Sequence, residues 1–245
     1  MPNIFKKIFL SSLVLALFGA WLFAQESEAQ KAYNQGDYLQ AAQLYQQQVK
    51  AAKKPSAALY YNLANSYYKL GLTPKALANY YRAYRLNPRD KDIRHNLAFV
   101  MAQHAQNLIP ADVPASVFHL FFYLSIIELE GLLWLLGWLF VIVLILFLIS
   151  NNQKLKQGFI FLGVCVILTG IWYACRLPFD KKHLAVVNRT QAEVRSGPGE
   201  KFPVNLSVPR AHIVEVKDTK GAWMQILIPS EKAQGWVLKD SLEEI

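Results

Sequence analysis

The chain has 245 residues, 53% of them hydrophobic and 18% charged, with a formal net charge of +9. That apolar share excludes intrinsic disorder as the main state, and the charged share lies below the globular norm. Two cysteines exclude a disulfide scaffold, and 12 Gly with 11 Pro exclude a collagen-like chain.

The apolar residues are concentrated in runs. The first is Ile4–Phe23, interrupted by Lys6 and Lys7. The lysine pair reads as a positive n-region, Ile8–Phe23 as an apolar stretch, and Ala24 as a cleavage position before the polar QESEAQ. Residues 1–24 are therefore predicted to be a signal peptide. Leu22 stands where a smaller residue is usual, so an uncleaved N-terminal anchor is the alternative. No Cys follows the run, which argues against a lipoprotein anchor. Either reading exports what comes next.

Residues 25–109 read as helices rich in Ala, Gln, Tyr and Leu. Asn62-Leu63-Ala64 recurs as Asn96-Leu97-Ala98 at a spacing of 34, and Gly36 recurs as Gly71 at 35. Such a period marks a helix–turn–helix repeat. In the middle copy, Tyr60, Leu63, Ala64 and Tyr67 share a helical face. Gly71 closes that helix, Pro74 opens the next, and Ala76, Tyr80 and Ala83 form the next face. Small Ala lets two helices approach, and large Tyr fills the gap beside it. This pattern resembles the tetratricopeptide repeat family. The first copy matches at Ala29, Gly36, Tyr38, Ala41 and Tyr45, and departs at Gln48. The third keeps one helix, DIRHNLAFVMAQHAQ, in the position of a cap. About five helices are expected.

The resemblance implies a peptide- or protein-binding concave face built from the first helix of each repeat. The matching positions are Tyr33, Asn34, Tyr61, Asn65, Tyr68, Lys69, Phe99 and Gln103. Tyr61 stands where a carboxylate-clamp Lys would be, which argues against recognition of C-terminal carboxylates. The bland alternative is that these tyrosines simply pack.

Residues 110–130 are read as an interfacial helix and linker. Ser116–Ile127 is apolar on nearly all faces, and one helix from 116 to 150 would be ~52 Å long, too long for one crossing. The break is expected at Glu128, Glu130 and Gly131. Residues 131–150 and 158–175 carry no charge and are predicted to be transmembrane helices. The loop 151–157 between them carries Lys154 and Lys156, which marks it as cytoplasmic. Both soluble parts then lie on the extracytoplasmic side of the membrane. Gly170 and Ala174 offer a small-residue face for packing the second span on the first.

Residues 182–245 change to period-two stretches bounded by Gly, Pro and polar turns, which predict about five strands and a small barrel. AEVRSGPG over 192–199, then Gly221-Ala222-Trp223, then Gly235-Trp236-Val237, resemble the bacterial SH3 domain family. Ala192 and Glu193 depart from its preferences. The resemblance implies a peptide or peptidoglycan groove lined by Arg195, Trp223 and Trp236, with a purely structural role for both Trp as the alternative.

No catalytic motif is present, the five His are scattered, and Cys165 and Cys175 are too far apart along one span to bridge. The chain is thus read as a non-enzyme with no cofactor and no metal site. Residues 25–115 carry a net +5, but no nucleic-acid motif, and export argues against that partner. The order of signal, repeats, two-span hairpin and C-terminal module resembles the BatE proteins of bacterial aerotolerance operons. That resemblance implies a scaffold working beside von Willebrand-type membrane proteins in envelope stress tolerance. The competing expectation is a peptidoglycan-binding protein that recruits a cell-wall enzyme.

Overall fold

The structure, a computed structural model, describes residues 27–229 and 231–245. The expected signal or anchor at 1–24 lies outside the described residues. The described residues form helices followed by a β unit.

Five helices come first: α1 (Glu28–Asn34), α2 (Tyr38–Ala51), α3 (Ala57–Lys69), α4 (Thr73–Leu86) and α5 (Lys91–Ala102). Side-chain oxygens of Ser27, Asp37, Ser56 and Asp90 cap the first turns of α1, α2, α3 and α5. Helix α4 has no such cap and opens on Pro74 instead. Gly36 and Gly71 end α1 and α3 at φ +83° and +70°, where nothing crowds the missing Cβ. They are glycine because the left-handed turn demands it. In both turns the next amide closes back on the helix, Asp37 on Ala32 and Leu72 on Tyr67.

The helices bury the alternating small and large set: Ala29, Ala41, Tyr45, Leu63, Ala64, Tyr67, Ala76, Tyr80 and Ala83. Tyr60, expected on that face, is half-buried and lies under the Arg82 guanidinium.

Two long apolar helices follow a short one: α6 (Ala115–Phe121), α7 (Ile126–Ser150) and α8 (Gln153–Asp180). Both α7 and α8 are long and apolar enough to cross a membrane, and their most apolar stretches are not buried against the rest of the chain. They pack on each other, with Gly158, Gly163 and Gly170 of α8 facing Val143, Phe140 and Leu133 of α7. Ala174 is exposed, so the small-residue face holds at Gly170 alone. Asn151 turns the hairpin at φ +47°, and Asn152 caps α8.

The break before α7 differs from the expectation. It falls at Phe122–Ser125, not at Glu128, Glu130 and Gly131. Ser125 caps α7 and Glu128 reaches back to the Ser125 amide, a complete capping box. Glu128 therefore starts the helix that it was expected to stop, because a carboxylate at N3 satisfies a free amide there.

The β unit is one antiparallel sheet of seven strands in the order β3-β2-β6-β5-β4-β1-β7. The strands are β1 (His183–Val187), β2 (Gln191–Arg195), β3 (Val204–Pro209), β4 (Ile213–Lys220), β5 (Trp223–Ile228), β6 (Ala233–Leu238) and β7 (Leu242–Glu244). The ladder is open, with β3 and β7 at its edges, where a five-stranded barrel was expected. Strand β3 lies at an edge, which tolerates Pro209. Strand β7 has only three residues, so neither gives a clear period-two signal.

Helices and sheet share a boundary. Strand β1 is buried on both faces: Ala185 and Val187 join the sheet's own core, while Val186 joins the helical core with Ala211. Arg82 of α4 donates to the Glu244 carbonyl (2.6 Å), and Arg85 donates to the Asp180 carbonyl.

Candidate functional site

The eight residues expected on the helical face fall into three groups. In the middle, Tyr61 and Asn65 of α3 meet α4 and α5. Tyr80 of α4 donates to Asn65 Oδ1 (2.6 Å), and Asn96 Nδ2 of α5 donates to the Tyr61 hydroxyl (2.9 Å) and to Asn65 Oδ1 (3.3 Å). The Tyr61 and Tyr80 rings are 5.9 Å apart. One polar cluster thus ties three helices together.

Toward the C-terminal end of α3, Tyr68 packs edge-on against Phe99, centroids 6.3 Å apart, and Gln103 donates to the Tyr68 hydroxyl (3.3 Å). His95 stacks on the other side of Phe99 at 6.4 Å. Phe99 remains 49% exposed, which makes this the open aromatic part of the face.

At the N-terminal end, Tyr33 and Asn65 line a shallow cavity with Gln30, Tyr45 and Asn62, about 70 Å³, enough for a few waters or a small polar side chain. Gln30 holds the wall together, accepting from the Tyr45 hydroxyl (2.9 Å) and donating to Asn34 (3.0 Å). Tyr33 packs edge-on against Tyr38, and Lys69 sits over the Tyr38 ring at 5.9 Å.

The face is rich in amides and phenols. Burial, then the neighbouring phenols of Tyr61 and Tyr33, push the Tyr80 hydroxyl well up. Burial, then Tyr38 and Tyr61, raise Tyr33 too. These phenols stay neutral, so the centre of the face offers hydrogen bonds without charge.

Gln30, Tyr45, Asn62, His95 and Asn96 belong to this surface although they were not singled out for it. The signal for two of them was present. Asn62 and Asn96 open the recurring Asn-Leu-Ala, whose leucines, with Ala64, are buried in the core and leave the Asn on the neighbouring face.

The three residues expected in the C-terminal groove also come together. Trp236 of β6 stands directly opposite Arg195 of β2 and Gln225 of β5 in the register. Trp223 lies two residues before Gln225, so all four share the outer face of the sheet. Lys220 lies over the Trp236 ring at 5.3 Å. Trp236 is nevertheless buried, and Arg195 is committed locally: it donates to the Glu200 and Phe202 carbonyls (both 2.8 Å) and pairs with Glu193 (2.6 Å). Arg195 therefore pins the 196–203 loop. Trp223, like Arg195, is partly exposed.

Among the described residues no group of His, Cys, Asp or Glu could hold a metal ion. No protein-family profile matches the chain, and no curated protein matches it.

Proposed function

We propose that this protein is a membrane-anchored scaffold that presents a protein-binding helical face and a small β module on the extracytoplasmic side. In this reading α1–α5 are tetratricopeptide repeats, α7 and α8 are the membrane spans, and the β unit is SH3-like. The carrying observation is the division of labour on α4. Tyr80 points into the Asn65 cluster, while Arg82, about 200° further around the helix, points to β7. The β unit thus occupies one side of the helices, and the amide–phenol face stays open on the other. Lys154 and Lys156, in the first turn of α8 beside the hairpin turn, support a cytoplasmic turn with both modules outside. The resemblance to BatE proteins implies that the scaffold works in an envelope-stress complex beside von Willebrand-type membrane proteins.

A photo-crosslinking amino acid at Phe99, used in native membranes and read by mass spectrometry, tests this directly. A discrete protein adduct that is lost when Tyr68→Ala is added supports the scaffold. Adducts to lipid alone, or none, overturn it. The shared outer face of Trp223, Gln225 and Trp236 favours a second reading, a module that grips peptidoglycan through aromatic stacking. Sedimentation of the detergent-solubilised chain with purified peptidoglycan, compared with Trp223→Ala, separates the two readings.

A further inference from the structure

We infer that the junction of α6, α7 and α8 is a lipid-binding collar, seated in the headgroup–acyl boundary of the outer leaflet, that sets the depth of the helical face above the bilayer. The inference rests on the spanning reading of α7 and α8.

Three observations carry it. First, the chain is non-helical at Phe122–Ser125, immediately before an apolar helix, and two carbonyls here, of Phe121 and Leu124, are satisfied by protein side chains. Arg176 Nη1 donates to the Phe121 carbonyl (3.0 Å) and the Leu124 carbonyl (2.9 Å), and the Trp172 indole donates to Phe121 as well (3.1 Å). Water would do this for a solvent-facing turn. Internal satisfaction is what a break at membrane depth requires. Arg176 is itself buried, pairs with Asp180 (3.2 Å) and lies 4.4 Å from the centre of the Phe122 ring.

Second, the outward side of the junction is apolar. Val117, Leu120, Tyr123, Ile127 and Phe179 are each about half exposed or more, up to 70% at Leu120. They lie on α6, the break, the first turn of α7 and the end of α8, and are continuous with the exposed faces of the two long helices. A soluble protein rarely leaves such a patch uncovered.

Third, two cations at the rim are already paired. Arg89 pairs with Glu128 (2.6 Å) and leans over Tyr123; Lys182 pairs with Glu215 (3.6 Å) and leans over Phe179. These aromatic rings, each capped by a cation on the soluble side, suit the interface where rings sit at headgroup level. With these two cations paired, the collar inserts mainly by apolar burial, about 5–10 Å deep.

The test uses the full chain in phosphatidylcholine vesicles, with Cys165→Ser and Cys175→Ser as background. Single nitroxide labels go in at Leu120→Cys and Tyr123→Cys, with Trp138→Cys as a mid-span control and Leu39→Cys as a water-facing one. Accessibility to oxygen and to a nickel chelate is read by power-saturation EPR. The expected oxygen-to-nickel ratio at 120 and 123 is several-fold above that at 39 and below that at 138. A ratio at 120 and 123 equal to that at 39, with 138 still deep, overturns the collar and leaves the spans intact. A water-like ratio at 138 removes the spanning reading and the collar with it. Low access to both reagents at 120 and 123 means that protein covers the patch, and also overturns the collar.

Discussion

Glycine at position 235 shows how one missing methyl sets the sheet. A Cβ there would come within 2.4 Å of Val194 Cγ1 and 2.8 Å of the Arg195 carbonyl. Strands β2 and β6 approach so closely that no side chain fits, which gives the Gly-Trp-Val motif its physical meaning. Gly235→Ala is expected to cost about 1–3 kcal/mol by overpacking, measured as a lower denaturant midpoint for the fluorescence of Trp236. At the helix–sheet boundary, burial, then His212 and Arg210, depress the pKa of His104 below its usual 6.5. The folded state therefore binds the proton less well than the unfolded state. The His104 contribution is fully present above pH 6.5 and is lost as pH falls below it. Protection factors of the amides at Ala211–Ile213, corrected for the intrinsic pH dependence of exchange, are expected to fall on acidification across that value, and His104→Gln to flatten the response. The motif residues at 235–237 were legible from the sequence. The role of Arg195 was not, because its partners are the carbonyls of Glu200 and Phe202, and carbonyls leave no mark in side-chain identity.

The long helices were legible as elements, and their boundaries were not. Helix α7 follows from an uncharged apolar run, but its start is decided by Ser125 and Glu128. A carboxylate beside an apolar run looks like a stop signal; in the capping box it becomes a start. Ser125→Ala is expected to lose about 1 kcal/mol. Glu128→Gln keeps the box but breaks the half-exposed pair with Arg89, and is expected to lose less than about 1 kcal/mol. Thermal unfolding of the detergent-solubilised chain distinguishes the two variants. Arg176→Met is the severe case. It strips the Leu124 carbonyl and the Asp180 carboxylate of this donor at once and leaves the Phe121 carbonyl to Trp172 alone, for an expected loss of about 3–5 kcal/mol. Arg176→Lys should recover only part of this, since one ammonium nitrogen replaces the two guanidinium nitrogens that separately reach the carbonyls and Asp180. Limited proteolysis at 122–125 reads that loss locally.

At the scale of the whole molecule, the modules are joined by more than chain connectivity. The side chain of Gln106, after α5, donates to the Ala211 carbonyl (2.8 Å) and accepts from the Ile213 amide (2.9 Å), as a strand neighbour would. With Arg82 on Glu244, it docks the sheet to the helices. Gln106→Ala is expected to leave the sheet and the helices folded while raising amide exchange at Ala211–Ile213 and cleavage near 107–114, and an unchanged exchange pattern would refute that docking role. The sequence alone determined the helical pairs, the two apolar helices and the strand-rich end. Each rests on a local period or run: a 34-residue repeat, an uncharged stretch, an alternation of two. Tertiary structure decided that β3 and β7 complete the sheet, and that one face of β1, at Val186, is covered by helices some hundred residues earlier. Those outcomes depend on pairings between distant backbone groups, which no local pattern of side chains encodes.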